Sequence, residues 1–233
     1  MNREKYVVVM AAGSGSRMGA ELPKQFLELD GKSILQRTIE VFLEAVPGVK
    51  VIVVLPEDYV EYWKNICLEN NFICPQVLVK GGFTRFHSVK NALAKVPAGA
   101  LVAIHDGVRP LVTPQFLRDL FEQAEKVNGL IPVLPCIDTM KVLQKTSLGL
   151  SPVSGASADR SVLYGAQTPQ IFRSELLKEA YAQPFDESFT DDASVMEKYG
   201  KSLSYVIGER LNIKITTKED LILARAIYSL RED

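Results

Sequence analysis

The sequence predicts an α/β fold, a doubly wound and mostly parallel Rossmann-like sheet with a protruding β-arm. Three observations lead there. Apolar runs alternate with amphipathic stretches along most of the chain. Several runs, such as Val51-Ile52-Val53-Val54-Leu55, are apolar at every position, as suits strands buried on both faces of a parallel sheet. The first run ends in a loop with glycines at 13, 15 and 19, and ligands of such sheets bind beyond the carboxyl ends of the strands. With 233 residues, 47% of them hydrophobic, the chain can build one large core, so a single domain spanning 1–233 is expected.

Strands are expected at 6–12, 49–55, 76–79, 101–105 and 129–135, separated by amphipathic helices at 33–45, 58–70, 85–96 and 114–127. Repeats of this kind imply right-handed crossovers. They bring the Gly13 loop, Gly81-Gly82 and Asp106, each following a strand, to one rim. The alternation breaks at Asp138. Residues 139–165 hold a strand-like start, a Ser/Gly/Ala-rich middle and a second extended piece from about Ser161. The flanks have no linker of their own, so this segment reads as a β-hairpin-like arm. An excursion of that length in a compact domain is usually functional or disordered, and apolar residues at both its ends could embrace a partner subunit. Helices near 174–182 and 191–199, a strand at 203–207 and a last helix near 218–230 complete the pattern.

Composition narrows the function. Lys and Arg total 27 and Asp and Glu total 28, for a net charge of −1. That balance offers no basic field to nucleic acid and none to an anionic membrane, so any phosphate binding is local. The three cysteines, Cys67, Cys74 and Cys136, lack Cys-x-x-Cys spacing, which favours buried free thiols in a reducing cytosol over disulfides or zinc. No apolar run approaches the roughly 18 residues of a membrane span. The first strand starts too early for a signal peptide, and a cytoplasmic protein is expected.

The stretch 6–25, YVVVMAAGSGSRMGAELPKQ, carries the strongest chemical signal. A strand delivering a glycine loop offers backbone N–H groups to an anion, and Arg17 and Lys24 can neutralise further negative charge. The result reads as a polyphosphate cradle. It is not a Walker loop, because no Gly-Lys-Ser/Thr follows Gly13 at the required spacing. A dinucleotide loop fits poorly too. The third glycine comes one residue late, Arg17 sits inside the loop, and the second strand ends in Pro56-Glu57 rather than a clean acid.

Three further clusters follow. Gly81-Gly82 would let backbone approach a nucleobase edge while Ser88 contacts sugar or phosphate; an ordinary strand–helix turn with a capping Ser is the alternative. Asp106, at the end of an apolar strand beside Gly107, suits a hard cation, and magnesium takes one or two protein carboxylates plus substrate phosphates. Arg109 is either a phosphate clamp or the ion-pair partner that orients Asp106. His105 reads as a packed strand residue and His87 as a helix-face residue, so a histidine-driven mechanism is not expected. Thr190-Asp191-Asp192 reads as a helix N-cap with acids in the first turn, whose N-terminus would also bind a phosphate with Thr190 as donor. Lys214, between Ile213 and Ile215, is a cation in an apolar run and could point into the site.

In order along the chain, AAGSGSRM…LPKQF, GGFTR…SV, HDGVRP, DTMK, DR…QTPQIF, TDDAS and NIKITTKEDL resemble the motifs of the 2-C-methyl-D-erythritol 4-phosphate cytidylyltransferases, over about residues 6–228. The resemblance implies a nucleotidyltransferase that moves CMP from CTP to methylerythritol phosphate, giving 4-diphosphocytidyl-2-C-methyl-D-erythritol and pyrophosphate in isoprenoid precursor synthesis. It also implies Mg²⁺ and a homodimer joined by the arm at about 139–165. Carried over by position, Ala11, Ala12, Gly13, Gly15, Arg17 and Lys24 would hold the CTP phosphates, and Gly82 and Ser88 the cytidine. Asp106 would sit with the metal. Thr139 and Arg160 on the arm would reach the partner's acceptor, with Arg109, Thr168, Thr190 and Lys214 completing the acceptor pocket. Arg17, Lys24 and Lys214 would carry the catalytic charge. Met10, Phe83 and Gly107-Val108 depart from the family's common residues, and Phe83 stands where an acid would help to read the base.

Ribitol-5-phosphate cytidylyltransferases share PKQF and QTPQ, but Lys141 in DTMK and the TDDAS run lean towards methylerythritol phosphate. A nicotinamide-dinucleotide oxidoreductase is the rival from another class, opposed by the interrupted glycine pattern. A regulatory nucleotide-binding domain is opposed by the set Arg17, Lys24 and Asp106.

Overall fold

A computed structural model describes residues 3–13, 22–147 and 149–232. In chain order the elements are β1 (Lys5–Met10), β2 (Glu28–Leu29), β3 (Lys32–Ser33), α1 (Ile34–Ala45), β4 (Lys50–Leu55), α2 (Val60–Glu69), β5 (Gln76–Lys80), α3 (Arg85–Leu93), β6 (Leu101–Asp106), α4 (Pro114–Ala124) and β7 (Gly129–Pro135). They continue with β8 (Leu143–Thr146), β9 (Gly149–Pro152), β10 (Tyr164–Ala166), β11 (Gln170–Arg173), α5 (Ser174–Ala180), α6 (Asp192–Lys198), β12 (Ser204–Ile207) and α7 (Lys218–Glu232).

β1 lies inside the central sheet, parallel to β4 with Val8 opposite Ile52 and to β6 with Val8 opposite Ile104. β5 extends the sheet in parallel beyond β4. Alternate residues of a strand face opposite ways, and here both directions are apolar. Val7, Val9, Val51 and Val53 join Phe42, Trp63 and Phe121 in one core, while Val8, Ile52 and Val54 join Phe86, Val89 and Tyr181 in the other. Two cores on one sheet are why these strands read as unbroken apolar runs. Burying each such side chain stabilises the fold by about 1.5–3 kcal/mol.

The far half of the sheet departs from the expected order. β11 inserts antiparallel between β6 and β7, with Ile171 opposite both Ala103 and Leu130. Four residues feeding directly into α5 give too short a period to signal a strand. β10 also runs antiparallel to β7, and β12 runs parallel to it. The β2–β3 ribbon, likewise unexpected, closes through Asp30 and Gly31 at φ 50° and 70°, the left-handed pair that a tight hairpin requires.

Among the described residues of the arm, regular pairing is confined to the β8–β9 hairpin, where Thr146 faces Gly149. Residues 139–147 and 149–150 are all exposed. Tyr164 already belongs to the main sheet, so the arm ends before 164 rather than at 165. Cys67, Cys74 and Cys136 are free thiols, half-buried rather than buried. Among the described residues no helix is long and apolar enough to cross a membrane.

Candidate active site

β1, β5 and β6 end around one cleft of about 400 Å³, whose lining includes Ala11, Ala12, Gly13, Lys24, Gly82, Ser88, Asp106 and Lys214. β1 stops at Met10, two residues short of expectation, although Ala11 N–H still bonds Val54 O at 2.9 Å. Gln25, 1% exposed, ties down the residues that follow: its Nε2 donates to Ala11 O at 2.7 Å and to Gly13 O at 3.3 Å. Lys24 enters the same cleft on the single turn Lys24–Phe26. Gly15, Gly19 and Arg17 lie outside the described residues.

The second wall needs its glycines. A Cβ on Gly81 would come within 2.7 Å of the Ala12 Cβ, and one on Gly82 within 2.6 Å of the His87 Cβ. Ser88 is not a helix cap. Thr84 caps α3 by accepting from His87 N–H, while Ser88 Oγ accepts from Gly82 N–H at 2.9 Å and donates to Thr84 O at 3.0 Å. Its hydroxyl therefore shapes the loop on which the glycines sit. Phe83 is fully exposed on the rim, edge-on to His87.

Asp106 forms the floor. Lys214 Nζ lies 2.9 Å and Arg109 Nε 3.3 Å from its Oδ2. Burial alone would push the carboxyl up, but Lys214, Arg85 and Arg109 outweigh it and hold it well below the usual carboxylate range. Arg109 is thus an ion-pair partner of Asp106, and its Nη1 also donates to Asn212 O at 2.7 Å. Thr168 is buried behind the floor, where its Oγ1 accepts from Asp106 N–H at 3.1 Å. His105 Nε2 faces the Arg109 carbonyl and Nδ1 faces Thr168 Oγ1, each at 3.1 Å. Burial drives its pKa down to about 4, so the ring is neutral and Nε2 carries the proton that the carbonyl accepts. Thr168 then donates its hydroxyl proton to Nδ1. The packed-residue reading of His105 holds.

Three expected site residues lie elsewhere. Thr139 and Arg160 are exposed on the arm, Arg160 Nη1 donating to Ile137 O at 2.9 Å. Thr190 borders a separate surface pocket between β7, β12 and α6. It is not the helix cap either: Asp191 caps α6 in a reciprocal pair with Ser194, one residue later than expected.

The 2-C-methyl-D-erythritol 4-phosphate cytidylyltransferase (IspD) family model matches residues 6–230. The chain belongs to this family. A cytidylyltransferase of that name from Bacteroides thetaiotaomicron is 45% identical over 221 residues, covering 95% of this chain and 98% of the relative. Among solved structures, the 4-diphosphocytidyl-2C-methyl-D-erythritol synthase from Anaerococcus prevotii superposes with a TM-score of 0.79 at 27% identity, covering 98% of this chain and 100% of the other. The Francisella tularensis 2-C-methyl-D-erythritol 4-phosphate cytidylyltransferase gives 0.78 at 32% identity, covering 96% and 99%. The chain is a nucleotidyltransferase of the cytidylyl class.

Two residues of this cytidylyltransferase's cleft escaped the sequence reading. Gln25 was visible only as the last letter of Pro23-Lys24-Gln25. Arg85 opens α3 and lines the cleft. A cation in a helix's first turn opposes the helix dipole, and that misfit was the signal for it. Its charge is met by Asp192, fully buried, which also accepts from Tyr181 Oη at 2.6 Å.

Proposed function

We propose that the chain transfers CMP from CTP to 2-C-methyl-D-erythritol 4-phosphate, releasing pyrophosphate, for isoprenoid precursor synthesis in the cytoplasm. The observation that carries this reading is Lys214 meeting Asp106 at 2.9 Å on the floor of a glycine-walled cleft, in a chain of this family.

The acceptor is a phosphate monoester, largely ionised at neutral pH because its second pKa is about 6. It needs no general base, which suits a site whose buried histidine is bonded at both nitrogens. An acceptor phosphate oxygen attacks the α-phosphorus of CTP as the bond to the β-phosphate oxygen breaks, and the electron pair leaves with pyrophosphate. Two anions must meet, so the catalytic need is charge neutralisation. Ala11, Ala12 and Gly13 with Gly15, Arg17 and Lys24 hold the triphosphate. Gly82 and Ser88 set the backbone edge that meets cytosine. Lys214 holds the acceptor phosphate in line, while Arg109 and Thr168 fix Asp106.

Among the described residues no group of three or more His, Cys, Asp or Glu side chains is placed to hold a metal. Asp106, ionised and lining the cleft, fits a magnesium ion whose remaining ligands are substrate phosphates and water. Bound there, the ion would screen phosphate charge. Thr139 and Arg160 act in a neighbouring subunit's site, the arm making a homodimer; the exposure of the arm supports this. Thr190 contributes to acceptor binding in the assembled dimer.

The test is pyrophosphate release with Mg²⁺ and CTP, offering methylerythritol 4-phosphate and ribitol 5-phosphate in parallel. Release with the first alone is expected. Release with ribitol 5-phosphate alone would keep the CTP site and overturn the acceptor.

A further inference from the structure

Two buried amides sit away from the cleft lining and take no part in the chemistry above. Gln167 and Asn212 are 6% and 0% exposed. Gln167 is bonded at both ends. Its Nε2 donates to Glu209 O at 2.9 Å and Asn212 O at 3.3 Å, and its Oε1 accepts from Glu209 N–H at 3.1 Å. Asn212 Nδ2 donates to Thr168 O at 2.9 Å, and the Asn212 carbonyl takes the Arg109 guanidinium at 2.7 Å. Three residues on, Ile215 N–H bonds Val108 O at 3.0 Å. Lys214 projects from between these two fixed points to Asp106. Among the described residues Asn212 Oδ1 is buried with no partner, which is unfavourable. An apolar residue would avoid that loss, so the amide is retained for its donor.

We propose that Asn212 and Gln167 are positioning residues for cytidylyl transfer: they clamp the 208–215 turn so that Lys214 and Arg109 converge on Asp106. The inference rests on the reading of Lys214 as catalytic. A lysine has four rotatable stem bonds and a compact charge, so the backbone beneath it decides where the ammonium resides. A misplacement of about 1 Å far from the chemistry can cost on the order of 10²-fold.

Asn212→Asp and Gln167→Glu keep size and replace the donating amide NH2 with a carboxyl oxygen facing carbonyls. Each is expected to lower kcat about tenfold or more, with the KM for CTP within about twofold. Gln167→Glu should recover relative to the unmodified enzyme as pH is lowered, because a protonated carboxyl again donates towards the Glu209 carbonyl. In a Lys214→Ala background Asn212→Asp should bring a smaller loss than in the unmodified enzyme, the non-additivity of residues acting partly through one group. Additive losses would overturn the clamp, as would a lowered Tm with unchanged kcat in the folded enzyme. If Asn212→Asp does not fold, the pH dependence of Gln167→Glu decides alone. Lys214→Ala with an unchanged kcat would instead overturn the reading on which the clamp rests, and that variant alone tells the two failures apart.

Discussion

Around the cleft, polar groups are bonded to one another, with Lys214 itself partly open to solvent; along the arm, they face solvent. Asp106 is met by Lys214 and Arg109, and Thr168, Gln167 and Asn212 stand behind them, each less than a tenth exposed. On the arm, Thr139, Lys141, Lys145 and Arg160 are all exposed, as are Ile137, Met140, Leu143 and Leu150. The cleft's carboxylate and its cations are paired within one chain, the fixed kind of arrangement that preorganised electrostatic stabilisation uses. The arm presents apolar and charged groups that this chain does not itself bury.

The sharpest way to break this comparison is to remove a charge from the self-contained side. Lys24→Ala is expected to lower kcat on the order of 10²-fold or more and to raise the KM for CTP far less. Steady-state kinetics with CTP varied would show it, and an unchanged kcat would take Lys24 out of the catalytic set.

The arm offers the next largest effect and sharpens the contrast. Arg160→Ala should raise the KM for the acceptor about tenfold, the size of a lost charged contact of about 1.4 kcal/mol, with little effect on the KM for CTP. If the arm serves a neighbour, mixing Arg160→Ala with Lys24→Ala subunits restores activity, because one site of each heterodimer then draws Lys24 from one chain and Arg160 from the other. Confirmed heterodimers without rescue would place both residues in one chain's site.

The same contrast decides what the sequence made legible. β1, β4 and β6 could be read because their neighbours on both faces are apolar, which leaves an unbroken run. Lys214 could be read because a cation between two isoleucines needs a partner, and Asp106 is that partner. β11 could not, since four residues carry no period and its place between β6 and β7 is set by tertiary pairing. Gln167 and Asn212 stand in the motifs QTPQ and NIK, but they bond across a separation of 45 residues, so nothing local marks their pairing. Thr190 misled because Thr and Asp are both good caps and only the geometry of the turn selects Asp191.

The smallest effect separates the two regions by stability rather than turnover. His105 is fully buried, and its pKa falls from an ordinary 6.5 to about 4. Between those values the unfolded chain binds a proton that the folded chain refuses, so folding stability declines as pH falls from about 6.5 to about 4, by on the order of 3 kcal/mol at most. Asp106 works in a lower window. Its depressed pKa adds stability above the ordinary carboxylate range, and that is lost only as pH drops below about 4. Urea unfolding from pH 7 to about pH 5.5 reads the histidine largely before the carboxylates begin to titrate. His105→Asn should be less stable near pH 7 yet show a shallower decline, while Arg160→Ala, on the solvent-facing arm, should keep the wild-type slope. An equal slope in His105→Asn would mean that another group carries the pH dependence, and the neutral, doubly bonded imidazole beneath Asp106 would lose its thermodynamic signature.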